Sequence, residues 1–269
     1  MMRNWTAWGR RLIALVLALA FWPGVRAHGA STSGTVRVYL SSLSSLSTLD
    51  LTIAGSYSVN GDASRSFARG DRVTVRCSGG TLTLEKDGSV QNMGASFTLR
   101  RHQTSGENGV RIAQARNSAN LYEGDIELRA NGGKIQAIVH VYIEDYMDGV
   151  LPYEMSNGFP LEALKAQAVA ARTYVAAKMA QNRSTYDVVD TTSDQVYRGT
   201  PSGNATCKQA VQETAGIVAM YGGAYIGAYY TASNGGQTES IKNAWGTSGY
   251  PYLTVKDDPY DLRNSMSPT

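Results

Sequence analysis

Between residues 31 and 140, apolar and polar positions alternate in short runs broken by turn residues. Val36-Arg37-Val38-Tyr39-Leu40, Tyr57-Ser58-Val59 and Val73-Thr74-Val75 place every second side chain on one face, the period of a half-buried strand. Thr81-Leu82-Thr83-Leu84-Glu85 lies between Gly79-Gly80 and Asp87-Gly88, and Asn60-Gly61 follows Val59. Asn131-Gly132-Gly133 separates two further strand-like runs, 122–128 and 134–141. Such dipeptides accept the positive φ of tight turns, so the pattern predicts hairpins and meanders. The Ser-rich stretch 41–47 reads as weak strand or loop.

The pattern changes near residue 143. Residues 143–150 predict a short helix closing near Gly149. Pro152-Tyr153-Glu154-Met155-Ser156-Asn157-Gly158-Phe159 reads as a turn-rich connection, and Pro160 suits a first helical turn. Residues 161 to about 181 form the strongest helix signal, rich in Ala, Leu, Lys, Gln and Arg. Its Leu161, Leu164, Ala168, Ala171 and Val175 recur at three- and four-residue steps. Beyond it, 187–190, 217–220, 224–230 and 252–255 read as strands, and 207–214 as a helix stopping at Gly216. Ser233-Asn234-Gly235-Gly236 is a tight loop, and no internal repeat is visible. The expected class is α+β, a β-rich N-terminal half followed by helices packed on mainly antiparallel strands. The expected divisions are a leader over 1–27, a β-rich N-terminal region over 28–121 and a mixed region over 122–269.

Composition adds the compartment. The 269 residues, 42% hydrophobic and 17% charged, suit one large domain or two modest ones. Arg3, Arg10 and Arg11 precede the apolar run 12–22, and Val25-Arg26-Ala27 ends in the small-residue pattern of a cleavage site. This is the layout of a secretory signal peptide. The run is shorter than the ~20 residues of a spanning helix, and the alternative is an uncleaved N-terminal anchor. Either way the body of the chain is expected to be secreted or extracytoplasmic. Removing the four leader arginines takes Lys+Arg from 25 to 21 against 22 Asp+Glu, a net charge of −1. With no basic run remaining, nucleic acid is not an expected partner.

Cys77 and Cys207 leave a disulfide and two separate thiols equally open. The three histidines, His28, His102 and His140, show no ligand spacing to a cysteine, so neither metal nor cofactor is expected.

Among the carboxylates, Glu154 stands out by context. It lies between Tyr153 and Met155, just ahead of the strongest helix. Partial burial there would raise its pKa toward the range useful for an acid/base group. The plainer reading is a solvated Glu in a turn. Lys165 and Arg172, seven residues apart, point along one helix face and suit either a cationic strip beside a substrate groove or a solvated face. Tyr229, Tyr230, Ser233, Asn234 and Gln237 gather around Gly235 and Gly236. Tyrosine faces stack on sugars and a Gly turn admits a ligand to the backbone; a buried hairpin is the alternative.

Several motifs together resemble the stage II sporulation protein D family, which includes the LytB-type amidase enhancers. They run from Glu144-Asp145-Tyr146, Gly149-Val150 and Glu154-Met155 through Phe159-Pro160-Leu161-Glu162-Ala163-Leu164-Lys165-Ala166-Gln167-Ala168-Val169-Ala170-Ala171-Arg172-Thr173-Tyr174. Asp190-Thr191-Thr192, Gln195-Val196-Tyr197, Ser233-Asn234-Gly235-Gly236-Gln237-Thr238-Glu239 and Trp245-Gly246 follow in order. The resemblance covers about 122–261 and makes 122–269 the expected catalytic region. It implies a peptidoglycan lytic transglycosylase acting on glycan strands and leaving 1,6-anhydroMurNAc ends. Glu154 takes the place of the catalytic acid, and Lys165 and Arg172 fall on the family's helix cations. Tyr229, Tyr230, Ser233, Gly235, Gly236 and Gln237 are the expected substrate-binding residues. The resemblance equally implies a non-catalytic reading, a wall-binding enhancer of an N-acetylmuramoyl-L-alanine amidase, with that amidase as partner. Zinc-binding relatives use His and Cys around the Asp-Thr-Thr…Gln-Val-Tyr segment; here Ser193-Asp194 stand there, so no metal is expected. Family members continue beyond the Asp258-Pro259-Tyr260-Asp261 stretch, whereas this chain ends at Thr269, which points to a missing C-terminal part.

Overall fold

The computed structural model describes residues 26–29, by backbone alone, and residues 34–263. Residues 1–25, the body of the expected signal peptide, lie outside the described residues.

Fifteen strands and four α-helices are described. The strands are β1 (Arg26–Gly29), β2 (Thr35–Tyr39), β3 (Thr48–Ile53), β4 (Ser56–Val59), β5 (Asp62–Phe67), β6 (Arg72–Ser78), β7 (Thr81–Lys86), β8 (Ser89–Gly94), β9 (Ser96–His102), β10 (Val110–Ile112), β11 (Asp125–Asn131), β12 (Lys134–Tyr142), β13 (Val188–Val189), β14 (Ile217–Tyr221) and β15 (Ala224–Tyr225). The helices are α1 (Ile143–Glu154), α2 (Leu161–Met179), α3 (Ala205–Glu213) and α4 (Ile241–Trp245). The class is α+β, as the pattern implies.

Three sheets are ordered β10-β3-β6-β7-β8, β13-β2-β12-β11-β9-β4-β5 and β1-β14-β15. All pairings are antiparallel except β13 on β2. The seven-stranded sheet draws strands from both sides of residue 121, and β12 reaches across to β3 and β6 of the five-stranded sheet. The alternating residues face that shared core: Val36 and Val38, Leu49 and Leu51, Val73 and Val75, and Leu82 and Leu84 are at most 3% exposed. Hairpins close at Asn60-Gly61 and Asp87-Gly88, where both residues of each pair have positive φ.

Four sequence expectations need correction or narrowing. First, α1 does not stop near Gly149; it runs to Glu154, with Pro152 inside its last turn. Val150 and Leu151 are fully buried, and the Met155 N–H still bonds the Leu151 carbonyl at 2.9 Å, so packing outweighs the hydrogen bond that proline removes. Gly149 is not a cap. A Cβ there would lie 2.4 Å from the Tyr197 ring, so its role is close approach. Second, residues 41–43 form a 3-10 turn, which narrows the strand-or-loop reading of that stretch to its loop alternative. Third, the run from Tyr122 is strand only from Asp125; Tyr122 itself makes a single bridge to Val110. Fourth, the 224–230 run is ladder only at Ala224–Tyr225, and 252–255 is not strand. There the Tyr229 N–H turns back to the Gly227 carbonyl and the Gly227 N–H donates to the Tyr252 hydroxyl, so loop partners take the backbone groups a ladder would use.

Cys77 on β6 and Cys207 on α3 are both buried and unpaired. Among the described residues no helix is long and apolar enough to cross a membrane.

Candidate active site

Glu154 is the last residue of α1, not a loop residue. The segment after it is fastened by Asn157. Its Oδ1 accepts the Thr206 and Cys207 N–H groups at 2.9 and 3.1 Å, satisfying donors that the start of α3 would otherwise leave open. The chain then enters α2 at Pro160, whose carbonyl accepts the Leu164 N–H. Leu164, Ala168, Ala171 and Val175 pack α2 into the core with no exposure.

The Glu154 carboxylate is half-buried. The Val196 N–H and the Tyr230 hydroxyl lie beside it and favour its ionised form. Burial pushes its pKa above the ordinary carboxylate value, and the two donors pull against that shift. Tyr230 is held in turn by Gln195, whose Nε2 donates to the tyrosine oxygen at 3.0 Å. Burial pushes the Tyr230 hydroxyl well above its ordinary pKa, so it stays protonated and able to donate.

Tyr230 also lines a cleft of about 500 Å³ with Tyr229, Ser233, Gln237, Trp245 and Tyr252. Tyr229 and Trp245 meet edge to face, with centroids 4.5 Å apart, and both are about half exposed at 48% and 58%. Glu154 does not line this cleft; Tyr230 is the link between the two. Gly235 and Gly236 form a turn that packs on Asp261 and Leu262. The Asp261 Oδ2 accepts from the Ser233 hydroxyl and from the Asn234 and Gly235 N–H groups at 2.7 to 2.9 Å. A Cβ on Gly236 would lie 2.6 Å from Leu262.

The two helix cations are not side by side in a groove. Arg172 is fully buried and pairs with Glu144 of α1 at 2.8 Å. Lys165 lies at the surface and bonds Glu162 at 2.8 Å and Glu213 at 2.5 Å. Seven residues along a helix keep two side chains on one face, but that face passes from solvent at Lys165 to interior at Arg172. The structure thus brings Glu154 to Tyr230 and groups Tyr229, Ser233 and Gln237, while Lys165 and Arg172 stand apart.

Sequence reasoning missed Gln195 and Val196 as neighbours of Glu154, and Trp245 and Tyr252 as cleft walls. The Gln195-Val196-Tyr197 and Trp245-Gly246 motifs were the available signal, but nothing in a linear pattern says which side chain they approach.

The segment that carries this geometry, residues 131–221, matches the family model described as Stage II sporulation protein, SpoIID. Over residues 131–221 the chain is similar to the SpoIID family. The matched segment holds Glu154, Lys165, Arg172 and Gln195, while Tyr230 and the cleft lie just beyond it. An uncharacterised protein of Brachyspira hyodysenteriae is 48% identical over 113 residues, which is 41% of this chain and 30% of that one. The amidase enhancer of Bacillus subtilis is 46% identical over 115 residues, 43% of this chain and 15% of the relative. The stage II sporulation protein D of Bacillus subtilis is 33% identical over 145 residues, 48% of this chain and 42% of the relative. The chain therefore spans less than half the length of each of these relatives.

Proposed function

We propose that the chain is a secreted, cell-wall-associated peptidoglycan lytic transglycosylase with Glu154 as its acid/base. The observation that carries this reading is the setting of Glu154: half-buried, raised in pKa, and flanked by the Val196 N–H and the Tyr230 hydroxyl next to an aromatic cleft.

In this reading protonated Glu154 gives its proton to the oxygen bridging MurNAc C1 and the next GlcNAc. The C1–O bond breaks with the electron pair leaving on that oxygen. The 6-hydroxyl of the same MurNAc then attacks C1 and returns its proton to the Glu154 carboxylate, forming the 1,6-anhydro end without consuming water. A single carboxylate suffices because the substrate supplies its own nucleophile. Tyr229 and Trp245 offer ring faces to sugar, and Ser233 and Gln237 offer polar contacts. Lys165 and Arg172 serve the frame on which Glu154 stands.

The test is mass spectrometry of products from glycan strands stripped of stem peptides, with wild type and Glu154→Gln compared. Wild type should release anhydro-ended sugars and the variant none; equal release would end this reading.

The second reading is a wall-binding enhancer of a separate amidase. A relative carrying the name amidase enhancer favours it, as does the absence of Glu154 from the cleft wall. It requires glycan binding without sugar products, and stimulation of an added amidase that survives Glu154→Gln.

A further inference from the structure

Gln195 is 1% exposed, and its amide is bonded to three different parts of the fold. Its Oε1 accepts from the Tyr146 hydroxyl of α1 at 3.1 Å. Its Nε2 donates to the Ala171 carbonyl of α2 at 3.2 Å and to the Tyr230 oxygen at 3.0 Å. The Ala171 carbonyl can only accept, so the amide nitrogen must be the end that faces it. Both N–H groups are then committed, one to Ala171 and one to Tyr230. The Tyr230 oxygen already accepts from Gln195, which leaves its own proton free to turn toward the neighbouring Glu154 carboxylate.

From this geometry we infer that Gln195 is a positioning residue, which fixes the Tyr230 hydroxyl beside the Glu154 carboxylate and so favours its ionised form. The inference rests on the acid/base role proposed for Glu154. The relay has a chemical use there. Burial alone favours the protonated acid, whereas the second half of the reaction needs a carboxylate that can accept the 6-hydroxyl proton. Tyr230, fixed by Gln195, and the Val196 N–H both favour that ionised form. The other ionisable groups around the relay are Tyr174, Asp194 and Lys178. Asp194 accepts from the Tyr174 hydroxyl at 2.8 Å and pairs with Lys178 at 2.7 Å. These three stay in place in every variant below.

The experiment is a carboxyl ¹³C NMR titration of the whole protein labelled at Glu Cδ, with the Glu154 signal assigned by its loss in Glu154→Gln. Gln195→Met keeps the volume and removes the donor. Gln195→Glu puts an acceptor opposite Tyr230 and draws its proton away. Both should raise the Glu154 midpoint by about half a pH unit or more. Tyr230→Phe should do the same, and combining it with Gln195→Met should add nothing further. The alkaline limb of the rate profile should move up in parallel, which a loss of packing alone would not cause.

A Gln195→Met midpoint at the wild-type value overturns the inference. So does an unmoved midpoint in Tyr230→Phe, which deletes only a partly accessible hydroxyl and remains informative even if neither Gln195 variant folds. The titration is read on the carboxyl itself. Equal sugar release by wild type and Glu154→Gln would instead remove the proposed reaction while leaving the relay intact, so the two failures are distinguishable.

Discussion

Arg172 and Glu144 form an ion pair of 2.8 Å in which the guanidinium has no exposed surface. Its Nε also bonds Glu144, at 3.0 Å, and its remaining nitrogens donate to the Ala168, Val211 and Ile217 carbonyls. The Gly216 N–H completes the set on Glu144 Oε1 at 3.0 Å. One side chain of α2 thereby ties together α1, α3 and the start of β14. Removing one partner of such a pair leaves the other charge uncompensated. Arg172→Met should therefore cost about 3–5 kcal/mol in urea unfolding. Arg172→Met with Glu144→Leu should recover part of that loss. Lys165→Met, at the surface, should leave the unfolding midpoint where it is.

Gly149→Ala should destabilise the helix that carries Glu154. The added Cβ would stand 2.4 Å from Tyr197, whose ring stacks on Tyr146 with centroids 5.1 Å apart and is itself buried. Overpacking of this kind costs about 1–3 kcal/mol. The displaced segment also holds Gln195 and Val196, so sugar release should fall more than stability does. Comparing the melting temperature with the rate well below it checks both parts.

Asp148 predicts a pH dependence of stability. Burial, the leading cause, raises its pKa from 3.8 to about 6, against the pull of Lys208. Between those values the folded chain holds a proton that the unfolded chain has released, so this group's stability contribution is full below about pH 4 and is lost as pH rises through about 6. Asp148→Asn should remove that slope and stabilise the protein at pH 7 by at most about 2 kcal/mol, a figure reduced for the side chain's residual solvent access. The two proteins should converge at pH 4. Urea unfolding at pH 4, 5.5 and 7 measures this, and a wild type that gains stability over that range relative to Asp148→Asn would contradict it.

The two thiols should behave independently. Unfolded in denaturant without reductant, the protein should take up one alkyl group at Cys77 and one at Cys207, since both are free. In the native state both should react slowly. Cys207 is additionally held as thiol, because burial and the nearby Asp148 raise its pKa. A mass showing no alkylation before reduction would mean that the cysteines had paired.

The regular elements were largely legible in the chain, because their signals are local. Alternation placed β2, β6, β7 and β12, paired turn residues placed the hairpins, and the apolar spacing of α2 named the faces that are buried. The misreadings share one cause. Gly149 and Pro152 carry the local marks of a helix end, yet α1 continues because Val150 and Leu151 are buried and Tyr197 needs a residue without a side chain beside it. Arg172 looked like a surface cation because a helix period gives direction but not depth.

By itself the sequence determined the class, the strongest helix and the carboxylate of interest, since each follows from near neighbours or from a motif. Only the tertiary structure decided what surrounds that carboxylate. Gln195 lies 41 residues from Glu154 and Tyr230 another 35 beyond Gln195, and no local preference sets their meeting. They converge because α1, α2 and the Gln195-Val196-Tyr197 segment pack on one core, whose buried amide must find partners for every polar atom.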